Sequence, residues 1–375
     1  MKIVINGYSA RQGGGQTYLV NLLSHLPATD VSLIEVFAPA RLKLPDHPKI
    51  KRMHANWPTE NPLMRAAWER LVLPRYLKQT GADVLFCPGG LVGTKAPKGC
   101  KVVTMFRNMT PFDPIAMKAV PVGLQWVRLH MLRRLMLTSM RGADLTIFIS
   151  EYARKVIEKL ARIPNPLTIP HGVSEVFRLG DSPLPRPSAA GDLPYLLYVS
   201  KLDNYKHHHE VVRAYAMLPA HLRDAHRLIL VGEAEGEQAQ QLHALIRELG
   251  VGGYVRVLGA VPYNDLPGYY QNATANIFAS SCENCPNIML EALASGRPLL
   301  ASEVEPMPEF GGRHIGYFSP FDPSSIEIAM RKVLEDSSTA KSWAAGAWQQ
   351  GNLYSWAKTA HDTWRAIINL KHRAV

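Results

Sequence analysis

The chain has 375 residues, 47% of them apolar, with 28 Pro and 27 Gly, which leaves room for two hydrophobic cores and excludes a disordered or fibrous composition. Its net charge is +11 with only four cysteines; no stretch approaches the ~18 uninterrupted apolar residues of a membrane-spanning helix, and so few thiols in so long a chain exclude a disulfide scaffold and suit a reducing cytosol. The charge is lopsided: residues 1–170 hold 24 Lys/Arg and 10 Asp/Glu, whereas residues 171–375 hold 18 and 21, so the first half suits nucleic acid or an anionic membrane surface as a partner.

Met1-Lys2-Ile3-Val4-Ile5-Asn6-Gly7 is too short an apolar run for a signal peptide and reads as a buried strand. Strand-like runs then alternate with helical stretches. In the first half they are Lys2–Asn6, Ser32–Phe37, Val84–Cys87, Lys101–Phe106 and Leu145–Ser150; in the second they are Tyr195–Val199, Arg227–Val231, Val255–Gly259, Ala275–Ala279 and Pro298–Ser302. Such alternation predicts βαβ units and parallel sheets. Gly180–Asp192, rich in Pro, Ser and Gly, lies between the two sets near the charge changeover and reads as a linker or exposed loop. The expected architecture is therefore α/β, with two doubly wound domains and a cleft between them.

Within that frame, the first strand runs into a glycine-rich turn, Gly7 to Gln16, that includes Gly13, Gly14 and Gly15. Backbone N–H groups of such a turn can approach an anion at the following helix N-terminus; a flexible turn with φ > 0 fits the same residues. The spacing matches neither a P-loop nor a dinucleotide fingerprint, which disfavours ATP and nicotinamide. Residues 119–141 place Leu124, Val127, Met131, Leu132, Leu135 and Met136 at near-helical intervals beside Arg128, Arg133, Arg134 and Arg141, with Trp126 suited to a bilayer interface. A core-packed helix with a solvated basic face fits equally well. Trp57, Trp68, Arg65, Arg70 and Arg75 form a weaker candidate of the same kind.

In the second half, the strand ending at Val199 leads into Ser200-Lys201-Leu202-Asp203-Asn204-Tyr205-Lys206-His207-His208-His209. Lys201 and Lys206 are five apart after a strand, where fixed cations can hold an anion; two surface lysines are the alternative. Consecutive histidines cannot converge on one metal ion without partners. Further on, Glu283 leads a turn, Glu283-Asn284-Cys285-Pro286-Asn287, and a helix-periodic run through Leu293 stops at Gly296. Glu283 is thus expected in the loop at the helix mouth and Glu291 one or two turns inside, where two acids can accept hydrogen bonds from sugar hydroxyls, although a solvated acid plus a helix-surface acid has the same spacing. Cys282 and Cys285 make a lone C-x-x-C without the second pair a structural zinc needs. Ser355–Leu370, with Trp356, His361, Trp364, Ile367 and Ile368, reads as a terminal amphipathic helix.

Glu283-x7-Glu291 followed by Ala-Leu-Ala-Ser-Gly-Arg-Pro-Leu-Leu-Ala-Ser resembles the donor-site signature of retaining glycosyltransferases of the GT-B fold, specifically glycosyltransferase family 4. Val257–Val261 and Leu266–Tyr270 are similar to the strand and helix that precede it. The resemblance implies a GT-B fold of two Rossmann-like domains: residues 1–175 for the acceptor, 176–354 for the nucleotide-sugar donor, and a closing helix, 355–375, that returns to the first domain. It implies that Glu291 holds the nucleotide ribose and Glu283 the sugar hydroxyls, and that Ser200, Lys201 and Lys206 meet the diphosphate, Lys201 standing where Arg is commonest. The Gly13–Gly15 loop would line the opposite wall.

Two departures qualify it. Arg107-Asn108 stands where the family often has His-Asp, and an Arg donates hydrogen bonds but cannot act as a general base. Pro286 lacks an N–H, which leaves Asn284, Cys285 and Asn287 to contact the sugar. Ile149–Tyr152 and Ile169–Val173 match segments flanking the family's cleft, with His171 expected to be structural. The implied activity is metal-independent, cofactor-free transfer of a hexose or deoxyhexose with retention, from a nucleotide-diphosphate sugar (GDP-mannose-like before UDP-sugar) to a glycan or lipid-linked glycan in lipopolysaccharide or other cell-surface polysaccharide synthesis. Such an enzyme is expected in the cytoplasm, peripheral on an anionic membrane surface. A nucleotide-sugar epimerase of the same architecture is the alternative; nucleic-acid binding is remote, because no RNA-binding motif or zinc-finger spacing is present.

Overall fold

The computed structural model describes residues 1–11, 13–118, 120–180 and 184–372. Gln12 of the glycine turn, Ala119 at the head of the basic stretch, and Asp181, Ser182 and Pro183 of the expected linker lie outside the described residues. The chain divides into two compact units, Met1–Gly172 together with the C-terminal segment from Trp356, and Val173–Ser355.

The first unit holds β1 (Lys2–Asn6), β2 (Leu33–Phe37), β3 (Ile50–Met53), β4 (Val84–Cys87), β5 (Lys101–Phe106), β6 (Leu145–Phe148) and β7 (Pro166–Thr168). Their order is β3-β2-β1-β4-β5-β6-β7, and every pairing is parallel, with Ile3 opposite Ile34 on one side and Val84 on the other. The second unit holds β8 (Tyr195–Val199), β9 (Arg227–Val231), β10 (Val255–Gly259), β11 (Ala275–Phe278), β12 (Leu299–Ser302) and β13 (Gly316–Phe318), again all parallel, in the order β10-β9-β8-β11-β12-β13. Each sheet is doubly wound. The strand order reverses between β1 and β4 in one and between β8 and β11 in the other, and such switch points, beyond the strands' carboxyl ends, are where α/β sheets bind ligands.

The inner strands form because they are covered on both faces by helices, so continuous runs such as Val-Leu-Phe-Cys in β4 and Tyr-Leu-Leu-Tyr-Val in β8 are buried throughout. Three strands were not expected from the sequence: β3, β7 and β13, the short strands at sheet edges. Ile-Lys-Arg-Met and Pro-Leu-Thr carry no continuous apolar run, because an edge strand pairs on one side only and is half-solvated. The run through Ser150 ends as strand at Phe148; Ser150 instead caps the helix Glu151–Glu158, its hydroxyl accepting from the Ala153 N–H at 3.2 Å.

Packing corrects the weaker membrane candidate. Trp68 is buried with Tyr8 and Phe37, and Trp57 packs against the same cluster, so these tryptophans belong to the first unit's core. The stretch at 119–141 also resolves differently from its pattern. The helix begins only at Leu124 and runs to Gly142; Leu129 and Met136 face the core, while Leu124, Val127, Met131 and Leu135 are exposed along its length. The helix Trp356–His372 packs on the first unit's helix Gly14–Ser24: the Trp364 indole donates to the Leu22 carbonyl at 3.2 Å, and His171 sits buried with its ring 5.4 Å from each of Tyr18 and Trp356.

Candidate active site

In the second unit, the two strands at the switch point deliver the loops that carry the expected donor residues. After β8 the chain passes through Ser200 and Lys201 and forms a single turn, Asn204–Lys206, capped by the Asp203 carboxylate. The Tyr198 hydroxyl donates to the Lys206 carbonyl at 2.6 Å and fixes that turn from the strand below. After β11, Ser281 N–H donates to the Tyr205 carbonyl at 2.8 Å, and the Ser281 hydroxyl meets the His207 imidazole at 2.8 Å, lacing the two loops together. Beside them, the chain just past the end of the neighbouring β9 approaches the Ser200 segment closely at Gly232. Its φ is +145°, and a Cβ there would lie 2.0 Å from the Ser200 carbonyl oxygen.

The lacing places Lys206 against Glu283 in a buried ion pair, with the ammonium also 5.1 Å from the Tyr205 ring centroid and 5.2 Å from that of Phe278. Lys206 is only 7% exposed. Lys201 is not part of this cluster: it is exposed and pairs with Glu233 at 3.4 Å. Ser200 is buried, its hydroxyl donating to the Lys201 carbonyl at 3.2 Å. His207 and His208 do separate work, the first in the lacing and the second against the strand. His208 stacks on Tyr198 at 4.5 Å, and burial, then the Lys206 charge, press its pKa down to about 3, so its ring is neutral.

Glu283 lies in the loop and Glu291 in the second turn of the helix Asn287–Ala294, which is preceded by Pro286 and followed by Ser295 and Gly296. Asn284 is buried, and the Asn287 N–H donates to the Cys285 carbonyl at 3.0 Å. Glu291 is buried and accepts from the Tyr263 hydroxyl at 3.0 Å, with the Tyr270 hydroxyl 3.5 Å away. Burial raises its pKa to about 7 against the pull of the two tyrosine bonds. The roles of Tyr263 and Tyr270 escaped the sequence reading, which placed Tyr270 only in a helix; Tyr263 opens the short turn Tyr263–Asp265 and Tyr270 lies in the helix Leu266–Asn272 that follows it.

The first unit holds its own group of polar side chains at the β1/β4 switch point. Gly13, with φ +55°, turns the chain into the helix Gly14–Ser24. Arg107, at the end of β5, lies beside this turn: a Cβ on Gly15 would be 3.6 Å from its guanidinium, which stands 5.6 Å over the Tyr18 ring. The Gly13–Gly15 turn and Arg107 are thus brought together. Nearby, a cavity of about 490 Å³ is lined by Asn6, Glu69, Arg11, Arg65 and Arg128 and walled by the exposed Met131 and Leu135. Glu69 Oε1 accepts from the Asn6 amide at 2.8 Å, while the Asn6 carbonyl oxygen, buried, has no partner. Burial raises the Glu69 pKa, opposed by the Asn6 bond and the Arg65 charge. Sequence reasoning missed Glu69. Its signal was a single acid within an otherwise basic and aromatic segment, 61–82.

Two doubly wound parallel sheets, one in each unit, are the architecture of the GT-B class of glycosyltransferases. A family model described as "Glycosyltransferase Family 4" matches residues 12–176, and one described as "Glycosyl transferases group 1" matches residues 185–350. The chain belongs to glycosyltransferase family 4. O-antigen chain mannosyltransferase B of Escherichia coli is 27% identical over 268 residues, covering 68% of this chain and 69% of that protein. The serotype-specific mannosyltransferase WbdA of Escherichia coli is 27% identical over 233 residues, 60% of this chain and 29% of its own, so this chain spans under a third of that relative. Among solved structures, HepE of Anabaena in complex with UDP-glucose matches with a TM-score of 0.74 at 16% identity, covering 98% of this chain and 99% of that one. No helix among the described residues is long and apolar enough to cross a membrane.

Proposed function

We propose that this enzyme transfers a hexose or deoxyhexose, from GDP-mannose or a related GDP-sugar before a UDP-sugar, to a glycan or lipid-linked glycan in cell-surface polysaccharide synthesis. The observation that carries the reading is the buried Lys206–Glu283 pair on the laced loops of β8 and β11, with Glu291 on the helix that follows. In this scheme the acceptor hydroxyl oxygen bonds to the sugar C1 on the face the diphosphate leaves, and its proton passes to the departing phosphate oxygen. The products are a glycoside of retained configuration and a nucleoside diphosphate. Lys206 neutralises the charge that grows on the leaving phosphate, a task at which fixed charges in a dry site excel. Glu283 accepts from sugar hydroxyls and Glu291 from the ribose; Lys201 adds an outer positive charge. No metal or cofactor takes part in the proposed scheme.

The mannosyltransferase relatives and the UDP-glucose complex of HepE support a nucleotide sugar as donor. For the acceptor we look to the Glu69 cavity, whose cationic rim and apolar wall suit a glycan joined to a phosphorylated lipid. The exposed stripe Leu124, Val127, Met131 and Leu135, with Arg128 and Arg134 beside it, favours a peripheral position on an anionic, cytoplasmic membrane face. The test is a panel of nucleotide sugars screened by thermal shift, followed by transfer assays with lipid-linked glycans and with chelator present. Stabilisation by one nucleotide class and product of retained anomeric configuration support the reading. An isomerised sugar formed from donor alone would instead mark an epimerase, and turnover abolished by chelator would remove the metal-free scheme. Tighter binding to anionic than to neutral vesicles at low salt is expected of the membrane position; equal partition refutes it.

A further inference from the structure

The first unit has a second groove, apart from the Glu69 cavity. It lies between the helices Pro114–Lys118, Leu124–Gly142 and Glu151–Glu158, and encloses about 670 Å³, within the ~300–1,000 Å³ typical of small-molecule sites. It opens on a different face of the Leu124–Gly142 helix from the Glu69 cavity: Trp126, His130 and Arg133 line the groove, Arg128, Met131 and Leu135 the cavity. Its walls are apolar or aromatic, among them Phe112, Met117, Trp126, Tyr152 and Val156, and three cations, Lys118, Arg133 and Lys159, stand among them. Arg133 is held 5.5 Å over the Phe112 ring, and the Trp126 and His130 rings lie tilted against each other with centroids 3.8 Å apart. The one carboxylate in the lining, Asp113, is occupied in capping the helix Pro114–Lys118 by accepting from the Ala116 N–H at 2.8 Å.

The surroundings share the pattern. Residues 114–143 carry five Lys/Arg and no Asp or Glu. At the groove's mouth Val122 is 90% exposed, and the adjacent Leu124 is 92% exposed. An extended peptide laid in such a groove would need partners for its backbone N–H groups, and the one carboxylate in the lining is already engaged. A hydrocarbon chain needs none, and three cations match a phosphate.

We infer that this groove binds a single anionic phospholipid drawn from the membrane surface, its chain along Phe112, Met117, Trp126 and Val156 and its phosphate among Lys118, Arg133 and Lys159. The inference is independent of which sugar is transferred. It also differs from general adsorption, because it requires one lipid held by its phosphate and chain together rather than a charged film.

The experiment is calorimetric titration of the full chain with monomeric dihexanoyl-phosphatidylglycerol, dihexanoyl-phosphatidylcholine and glycerol phosphate, each below any micelle concentration. One saturable site for the phosphatidylglycerol is expected, with the other two at least ~tenfold weaker, the factor set by a lost charged contact or a lost chain. Lys118→Gln with Lys159→Gln, at exposed positions that leave folding intact, should remove about tenfold of that preference. Val156→Ser should weaken phosphatidylglycerol while leaving glycerol phosphate unchanged. Equal affinity for the choline lipid, equal affinity for glycerol phosphate, or an unaltered preference in the double-glutamine variant would each overturn the inference. Nucleotide-sugar stabilisation measured on the same samples reports separately on the transfer reading.

Discussion

Replacing Lys206 with Met removes the cation while nearly keeping its length, and the structure sets two separate magnitudes for the loss. The first is stability. The Lys206 and Glu283 side chains are 8% and 16% exposed, so solvent screens the pair little, and breaking it from one side strands a carboxylate at a cost of about 3–5 kcal/mol. For a unit of this size that lowers the melting temperature by on the order of 10 °C. The second is catalysis: loss of a charge that stabilises the departing diphosphate should cut kcat by ~10²–10³. The two separate in the double variant Lys206→Met/Glu283→Gln, which no longer buries an unpaired charge and should recover most of the melting temperature while staying slow. Calorimetry and single-turnover transfer kinetics on the wild type and both variants make the comparison. A folded double variant that turns over within about tenfold of wild type would refute the assignment of charge neutralisation to Lys206.

Glu291 gives a pH signature. Its folded pKa of about 7 lies above the ordinary 4.5, so the native state keeps a proton the unfolded chain releases; the contribution to stability is full below about pH 4.5 and is lost as pH rises through 7. Unfolding free energies from urea titrations should fall by about 3 kcal/mol over that window, a fall absent in Glu291→Gln; parallel wild-type and variant profiles would count against the buried carboxylate. Gly232→Ala forces a Cβ to 2.0 Å from the Ser200 carbonyl at a φ of +145°, and should cost at least ~2 kcal/mol and weaken donor binding, checked by denaturation and calorimetry; unchanged affinity would detach that contact from the site. Lys201→Ala should alter stability by no more than ~0–1 kcal/mol, since its pair with Glu233 is solvated, while raising the donor KM; an unaltered KM would remove Lys201 from the donor site.

Much of the scaffold could be read from the chain itself, because strands buried on both faces must be apolar along their whole length, as in β4 and β8. Edge strands escaped that logic: β3 reads Ile-Lys-Arg-Met because one side of it pairs with nothing. The two glutamates could be placed in loop and helix from Pro286 and Gly296 alone. Their partners could not. Lys206 and Glu283 are 77 positions apart, and only the adjacency of β8 and β11 makes them a pair. Glu69 and Asn6 meet across 63 positions because the helix Pro62–Leu71 brings Glu69 to the end of β1. Periodicity likewise merged the two apolar faces of the Leu124–Gly142 helix into one, since spacing alone does not say which face a neighbour covers.

The lacing of the β8 and β11 loops has a consequence for how the enzyme fails. Both anchoring strands are interior to their sheet, and amides in such strands exchange with solvent last, through openings close to global unfolding. The charge-handling groups should therefore keep their geometry while peripheral helices fray. On heating, donor affinity and the slowest-exchanging amides of the second unit should vanish at one temperature, as a single cooperative event.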